Sequence, residues 1–340
     1  MSPPPDCFTS APDWEAYATE NGHPLPSNPP APYSTDPIPP LDFDMLDARS
    51  QQALSDHEWS TGHPPSSISY IAHDLTVIVR DGAAISVRIL HPSLSRLDEK
   101  GEGKGLPVLF VTHGGGWMQG THLSEEAWLY WHLCEEFDIV VVSVEYRLAP
   151  EHQFPVWIED SWDVLEVVLA SNTKVFLAGS SSGAGTSAVL SQMCRDRNIP
   201  IAGVILNVPV VCDYRHFPSP SHTPVPISSY MQAISTFSSS AMVTVWNTTH
   251  PSPNTGSSPK ASPLLGDLQG LPRHLVCVAG QDALRDEGIA YAEKLREAGV
   301  EVDLQVFGGV PHHFGTIEEL DATRRFRGVL KNTVERWLRG

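Results

Sequence analysis

From Leu75 onward the chain keeps a rhythm in which short runs of Val, Ile and Leu alternate with longer stretches whose apolar residues recur every three or four positions. Strands that are apolar throughout are buried on both faces, and the helices between them supply the covers. The pattern therefore specifies an α/β fold: a mostly parallel sheet with helices on both sides. The first pair of strands differs, because Leu75–Val79 and Ile85–Ile89 flank Asp81-Gly82, which reads as a hairpin turn. After it the spacing predicts strands at Pro107–Thr112, Ile139–Tyr146, Lys174–Ala178, Ile201–Val208, His274–Ala279 and Val302–Phe307. Helices are expected at Glu125–Glu136, Val156–Leu169, Ala184–Arg195, Glu287–Ala298 and Ile317–Leu338.

Two segments break this rhythm. Proline crowds the beginning of the chain, with Pro29-Pro30, Pro39-Pro40 and Pro64-Pro65, and such density opposes regular sheet and long helix. Yet Trp14, Tyr17, Tyr33, Phe43, Leu46 and Trp59, with a helical pattern near Leu41–Leu54, predict that part of this arm packs on the body. Residues 213–262 are rich in Ser, Pro, Thr and His, with weak helical patches at Tyr230–Phe237 and Met242–Trp246. A structureless loop of that length is rare in a compact domain, so it reads as a lid over the C-terminal ends of the strands, where open α/β sheets hold their sites. The expected division is an arm at 1–65 that contributes to a cap, a core at 66–212 and 263–340, and a cap insertion at 213–262.

With 340 residues the chain has room for about two domains or one large α/β domain with insertions. Its net charge of -18 repels phosphate backbones, so no nucleic-acid partner is expected. The longest apolar run, near Ile139–Val144, falls far short of the roughly 20 residues that cross a bilayer. The N-terminus lacks the basic and apolar regions of a secretory signal, which makes the cytoplasm the expected location. Cys7, Cys134, Cys194, Cys212 and Cys277 are scattered and show no zinc-ligand spacing, so they read as buried thiols and no metal is expected.

The strand at Val175–Ala178 runs into Gly179-Ser180-Ser181-Ser182-Gly183, and a helical pattern starts at Ala184. Glycines two positions before and after a serine allow a strand-to-helix turn tight enough to hold that serine exposed, which makes Ser181 the candidate nucleophile. Taken alone the motif also fits an ordinary Ser-Gly helix cap. A second element supports the catalytic reading: His113-Gly114-Gly115-Gly116-Trp117 directly follows the strand Val108–Val111, and backbone amides there can converge on a substrate oxygen. His113 itself reads as a structural hydrogen-bonding residue. A carboxylate and a histidine should follow in that order, each after a later strand. Asp282 follows Val276–Gln281, and His312 and His313 follow the strand ending at Phe307. Asp286 and Glu287 are rival carboxylates, but they open a helix, where acids are favoured by the helix dipole.

With these residues in view, the chain resembles the hormone-sensitive-lipase family of α/β hydrolases, in its bacterial and fungal carboxylesterase branch. The resemblance rests on His113–Trp117, Val144–Glu151, Gly179–Gly183, Ala261–Leu265, Asp282–Gly288 and His312–Phe314, and it runs from about Leu75 to the C-terminus. It implies Ser181 as nucleophile, Asp282 as acid and His312, the first residue of H-x-F, as base. It also implies oxyanion donors at the N–H groups of Gly115, Gly116 and Ser182, with Gly114 shaping the turn, and a cap built from the N-terminal segment and an insertion. Trp117 and Met118, beside the oxyanion loop, are the expected substrate contacts, although a bulky Trp there fits a core position equally well. Ser180, Ser182, Ala184, Glu145 and His313 depart from the family's usual residues. The expected activity is hydrolysis of a small-molecule carboxylic ester through an acyl-enzyme, with no cofactor. An arylformamidase-like amide hydrolase, a biosynthetic hydrolase, a lyase or cyclase, and a ligand-binding receptor on the same scaffold are the alternatives.

Overall fold

The computed structural model describes residues 7, 9–23, 25, 40, 44–62, 70–92, 105–125, 130–171, 173–218 and 239–339. Eight strands form one sheet in the order β1-β2-β4-β3-β5-β6-β7-β8. β1 (Tyr70–Ile78) and β2 (Ala84–Pro92) are the expected hairpin, turned at Gly82 and pinned where Asp81 Oδ1 accepts from the Ala83 amide at 3.0 Å. β2 is antiparallel to β4 (Val140–Val144) as well, so β2 alone runs against the rest. β3 (Val108–Thr112), β4, β5 (Val175–Ser180), β6 (Gly203–Asn207), β7 (His274–Ala279) and β8 (Val302–Phe307) are parallel. Every residue of β3, β5, β6 and β7 is buried, which accounts for their continuous apolar sequences.

Alternate residues of β3 feed two separate cores. Val108 and Phe110 join the core that holds Trp157, Ile158 and Trp162 of α5 (Val156–Leu169), Ala184, Ala188 and Leu190 of α6 (Ser182–Asp196), and Ile289 and Leu295 of α8 (Arg285–Glu297). Leu109 and Val111 join the other, with Leu133 and Cys134 of α4 (Trp131–Phe137), Phe326, Leu330 and Trp337 of α9 (Asp321–Arg339), and Trp14 and Ala18 of α1 (Pro12–Asn21).

Helix α1 has no counterpart among the sequence expectations. Pro12 sits at its first turn, where a missing N–H is harmless, and Gly22 closes it in the left-handed region. The arm carries a second helix, α2 (Met45–Gly62), which extends the pattern expected at Leu41–Leu54. The helix expected at Glu125–Glu136 is represented by α3 (His122–Glu125) and α4, with residues 126–129 outside the described set. The last helix starts later than expected, at Asp321, because Ile317–Leu320 forms a turn closed by the Leu320 amide on the Ile317 carbonyl at 3.3 Å.

Further along, α7 (Ser239–Thr249) contains the expected Met242–Trp246 patch, while Tyr230–Phe237 lies outside the described residues, as do Tyr33, Phe43, Pro29-Pro30 and Pro64-Pro65. Asp213 and Ser262 meet, since the Asp213 amide donates to Ser262 Oγ at 2.8 Å. Among the described residues, no helix is long and apolar enough to cross a membrane.

Candidate active site

Ser181 stands between the end of β5 and the start of α6 with φ 54° and ψ -121°, a conformation unusual for a residue with a side chain. The flanking glycines are required by close approach. A Cβ at Gly179 would collide with the Gly183 backbone, and one at Gly183 would collide with the carbonyls of Thr112 and His113. Neighbouring loops hold the turn: the Ser181 amide donates to the Asn207 carbonyl at 2.9 Å, and the Ser181 carbonyl accepts from Val210 and Gly185 at 3.1 Å.

Loops after β7 and β8 bring two more groups to this point. His312 Nδ1 lies 2.7 Å from Asp282 Oδ2, and His312 Nε2 lies 3.0 Å from Ser181 Oγ. A carboxylate oxygen accepts, so the imidazole proton belongs on Nδ1 and Nε2 is left to accept from the serine hydroxyl. Asp282 Oδ1 accepts from the Leu284 amide at 3.0 Å, which fixes the carboxylate from its other side. All three residues are buried. His313 points elsewhere: it is exposed, lines the cavity and meets the His312 ring edge-on at 4.6 Å. Of the rival carboxylates, Asp286 pairs with Arg285 Nε at 2.7 Å. Glu287 is buried under the loop after β6, where its Oε1 accepts from the Val211 amide at 2.7 Å. Burial pushes the Glu287 carboxyl well above the usual carboxylate range, and the charges of Asp282 and Asp213 add to the effect.

The glycine loop after β3 runs through the left-handed region at Gly115, Gly116 and Trp117. A side chain at Gly115 would strike the Gln119 carbonyl. The Trp117 amide donates to Ser182 Oγ at 3.3 Å and so ties this loop to the serine turn. His113 is structural as expected. Its ring stacks on Tyr146 at 4.1 Å, its backbone carbonyl accepts from the Tyr146 hydroxyl at 2.6 Å, and burial lowers its pKa.

A cavity of about 280 Å³ opens in front of Ser181 and His312, with Gly115 and Gly114 on its wall. Trp117 and Met118 are not among the residues lining this cavity. They are 3% and 4% exposed and belong to the core. The Trp117 ring stacks on Trp157 at 5.1 Å, meets Trp246 edge-on at 5.5 Å and donates its indole N–H to Thr186 Oγ1 at 3.1 Å. The residues that do face the cavity include Gln52, Ser55 and Asp56 of α2, none of which stands out in the sequence. Asp56 accepts from Gln52 Nε2 at 2.7 Å, Ser124 Oγ at 2.5 Å and Thr121 Oγ1 at 3.2 Å, which anchors α2 over the site. Among the described residues there is no group of three His, Cys, Asp or Glu that could hold a metal.

A nearly parallel eight-stranded sheet, with a serine turn after β5 and its partners on the loops after β7 and β8, defines the class: an α/β hydrolase. Residues 109–316 match the family model described as alpha/beta hydrolase fold, and the chain belongs to that family, in the hormone-sensitive-lipase branch its motifs resemble. The chain is 35% identical over 222 residues to AB hydrolase superfamily protein C1039.03 of Schizosaccharomyces pombe. That match covers 61% of this chain and 63% of the yeast protein, less than two thirds of its length. Carboxylesterase NlhH of Mycobacterium tuberculosis is 32% identical over 286 residues, covering 80% of this chain and 86% of its own. Among solved structures, an esterase of Pyrobaculum calidifontis superposes with a TM-score of 0.74 at 28% identity, over 89% of this chain and 98% of that one.

Proposed function

We propose that this protein is a serine hydrolase that cleaves small-molecule carboxylic esters through an acyl-enzyme. The observation that carries the reading is the hydrogen-bonded chain from Ser181 Oγ through His312 to Asp282 at a strained turn facing a cavity. In this mechanism His312 Nε2 takes the hydroxyl proton as Ser181 Oγ attacks the acyl carbon, and Asp282 holds the ring and stabilises the imidazolium. The amides of Gly115, Gly116 and Ser182 are assigned to the developing oxyanion. His312 then gives its proton to the leaving alcohol. A water activated by the same imidazole next attacks the acyl-enzyme and frees Ser181. The likeness to NlhH, a carboxylesterase, and to the Pyrobaculum esterase supports an ester as substrate. A cavity of about 280 Å³ is at the small end for organic ligands and favours short acyl groups.

The test combines a fluorophosphonate probe with a series of p-nitrophenyl esters of increasing chain length. The wild-type protein should be labelled and should turn over acetate and butyrate esters far faster than long-chain ones. Ser181→Ala should be neither labelled nor active. A folded Ser181→Ala protein with wild-type turnover would falsify the reading.

A further inference from the structure

The loops that carry Asp282 and His312 have a common outer support, and it comes from the other end of the chain. Residues 7 and 9–14 lie across both loops. The Cys7 carbonyl accepts from the Gly309 amide at 2.8 Å, and the Ala11 amide donates to the Gly309 carbonyl at 3.0 Å, so both peptide groups of Gly309 are bound to this segment. Each loop has a glycine where the segment passes. A Cβ at Gly280 would collide with the Cys7 carbonyl, and one at Gly309, at φ 72°, would collide with the Thr9 carbonyl.

Gln281, one residue before Asp282, is 1% exposed, so its amide needs partners inside the protein. Residues of the arm meet both ends of it: Trp14 Nε1 donates to Gln281 Oε1 at 3.1 Å, and Gln281 Nε2 donates to Ser10 Oγ at 2.8 Å. Its backbone amide donates to the Val310 carbonyl at 2.9 Å, so the same residue also joins the acid loop to the base loop. Trp14 is 1% exposed and packs in the core that holds Phe307, Val310 and Phe314, the residues framing His312.

We infer that Gln281, clamped by Trp14 and Ser10, is a positioning residue that sets the Asp282–His312 geometry, and that the arm segment carrying Cys7, Ser10, Ala11 and Trp14 is part of the catalytic apparatus. The inference rests on the proposed triad. Misplacement by about 1 Å costs up to ~10²-fold in rate, and a support that touches both loops controls displacement on that scale. The cavity is walled by α2, the glycine loop and the face of the base loop that carries His312 and His313, and no residue of the arm segment lines it, so the effect of the brace should fall on turnover more than on binding.

The test uses the full-length protein with Gln281→Met, which keeps side-chain length and removes both hydrogen bonds, and Trp14→Phe, which keeps a ring and removes one. Steady-state kinetics on p-nitrophenyl butyrate at a temperature well below the melting transition should show kcat lowered by about 10- to 100-fold for Gln281→Met and several-fold for Trp14→Phe, with KM within about twofold. The low-field proton resonance of His312 Nδ1–H should move or broaden in both. Wild-type kcat in the two variants, with the resonance in place, overturns the inference, even if their melting temperatures fall. If Gln281→Met does not fold, Trp14→Phe decides by the same two readouts. If the wild-type protein hydrolyses no ester, the resonance alone decides: its displacement in the variants supports the brace, and its persistence overturns it.

Discussion

Three serines in a row separate by backbone position more than by side-chain chemistry. Ser180 Oγ accepts from Asn207 Nδ2 at 3.1 Å, Ser182 Oγ accepts from the Trp117 amide, and Ser181 alone stands at φ 54° beside His312. Ser180→Ala and Ser182→Ala should therefore keep activity within about tenfold, whereas Ser181→Ala should lose several orders of magnitude in turnover. The adjacent histidines divide in the same way. His312→Ala should abolish ester hydrolysis, while His313→Ala should change KM by no more than about tenfold, roughly 1.4 kcal/mol of binding; the reverse result in initial-rate assays would move the base to His313. Ser181, Asp282 and His312 were legible in the sequence because each lies in a local pattern tied to a strand end. Trp117 was not, since its partners Trp157, Thr186 and Trp246 lie 40, 69 and 129 positions along the chain. Its removal should act on stability: Trp117→Ala should cost about 3–5 kcal/mol in denaturant unfolding.

Between elements, the strands were legible to within a few residues because apolar runs of that length have few other uses, and the hairpin declared itself through Asp81-Gly82. Helix α1 was obscured by the surrounding prolines, and the continuation of α2 beyond Leu54 by its polarity: Asp56 is its one buried residue among those described, and Leu46 and Leu54 are exposed. Polar contacts hold α2 in place where apolar packing is thin. Arg49 donates to the Met118 carbonyl at 2.7 Å and the Ala149 carbonyl at 2.6 Å, and its Nη1 and Nη2 donate to Glu151 at 2.9 and 2.8 Å. The bonds from Arg49 hold the Glu151 carboxyl down at about 2. A depressed carboxylate contributes above its ordinary pKa and loses its effect only as pH falls through the lowered value, so this clamp is intact across pH 5–8. Glu151 is largely solvent-exposed and the pair is worth little to global stability. Arg49→Ala should therefore leave the melting temperature nearly unchanged while raising KM a few-fold and speeding proteolysis within α2. A large fall in melting temperature with unchanged cleavage would contradict this account of α2.

Across the whole molecule, buried titratable groups shape how stability depends on pH, and they act in opposite directions. His250 and His274 are pushed down to about 4 by burial, so the unfolded chain takes up protons first and stability is lost as pH falls from about 6.5 towards 4. Glu287 works from the other side. Its raised carboxyl keeps a proton in the folded state after the unfolded chain has lost it, so its contribution is full below the ordinary glutamate value and declines as pH rises through the elevated one. One group of this kind gives a slope of at most about 1.4 kcal/mol per pH unit. Glu287 also joins α8 to the loop after β6 through the Val211 amide, close to Asp282, so its ionisation pushes charge against the Asp282 carboxylate as well. Glu287→Gln keeps an oxygen acceptor for that amide and cannot ionise. In denaturant unfolding followed from pH 5 to 9, the wild-type protein should lose stability towards the alkaline end, and Glu287→Gln should flatten that limb while leaving in place the acid limb to which His250 and His274 contribute. Equal alkaline slopes in the two proteins would show that the folded state holds no extra proton at Glu287.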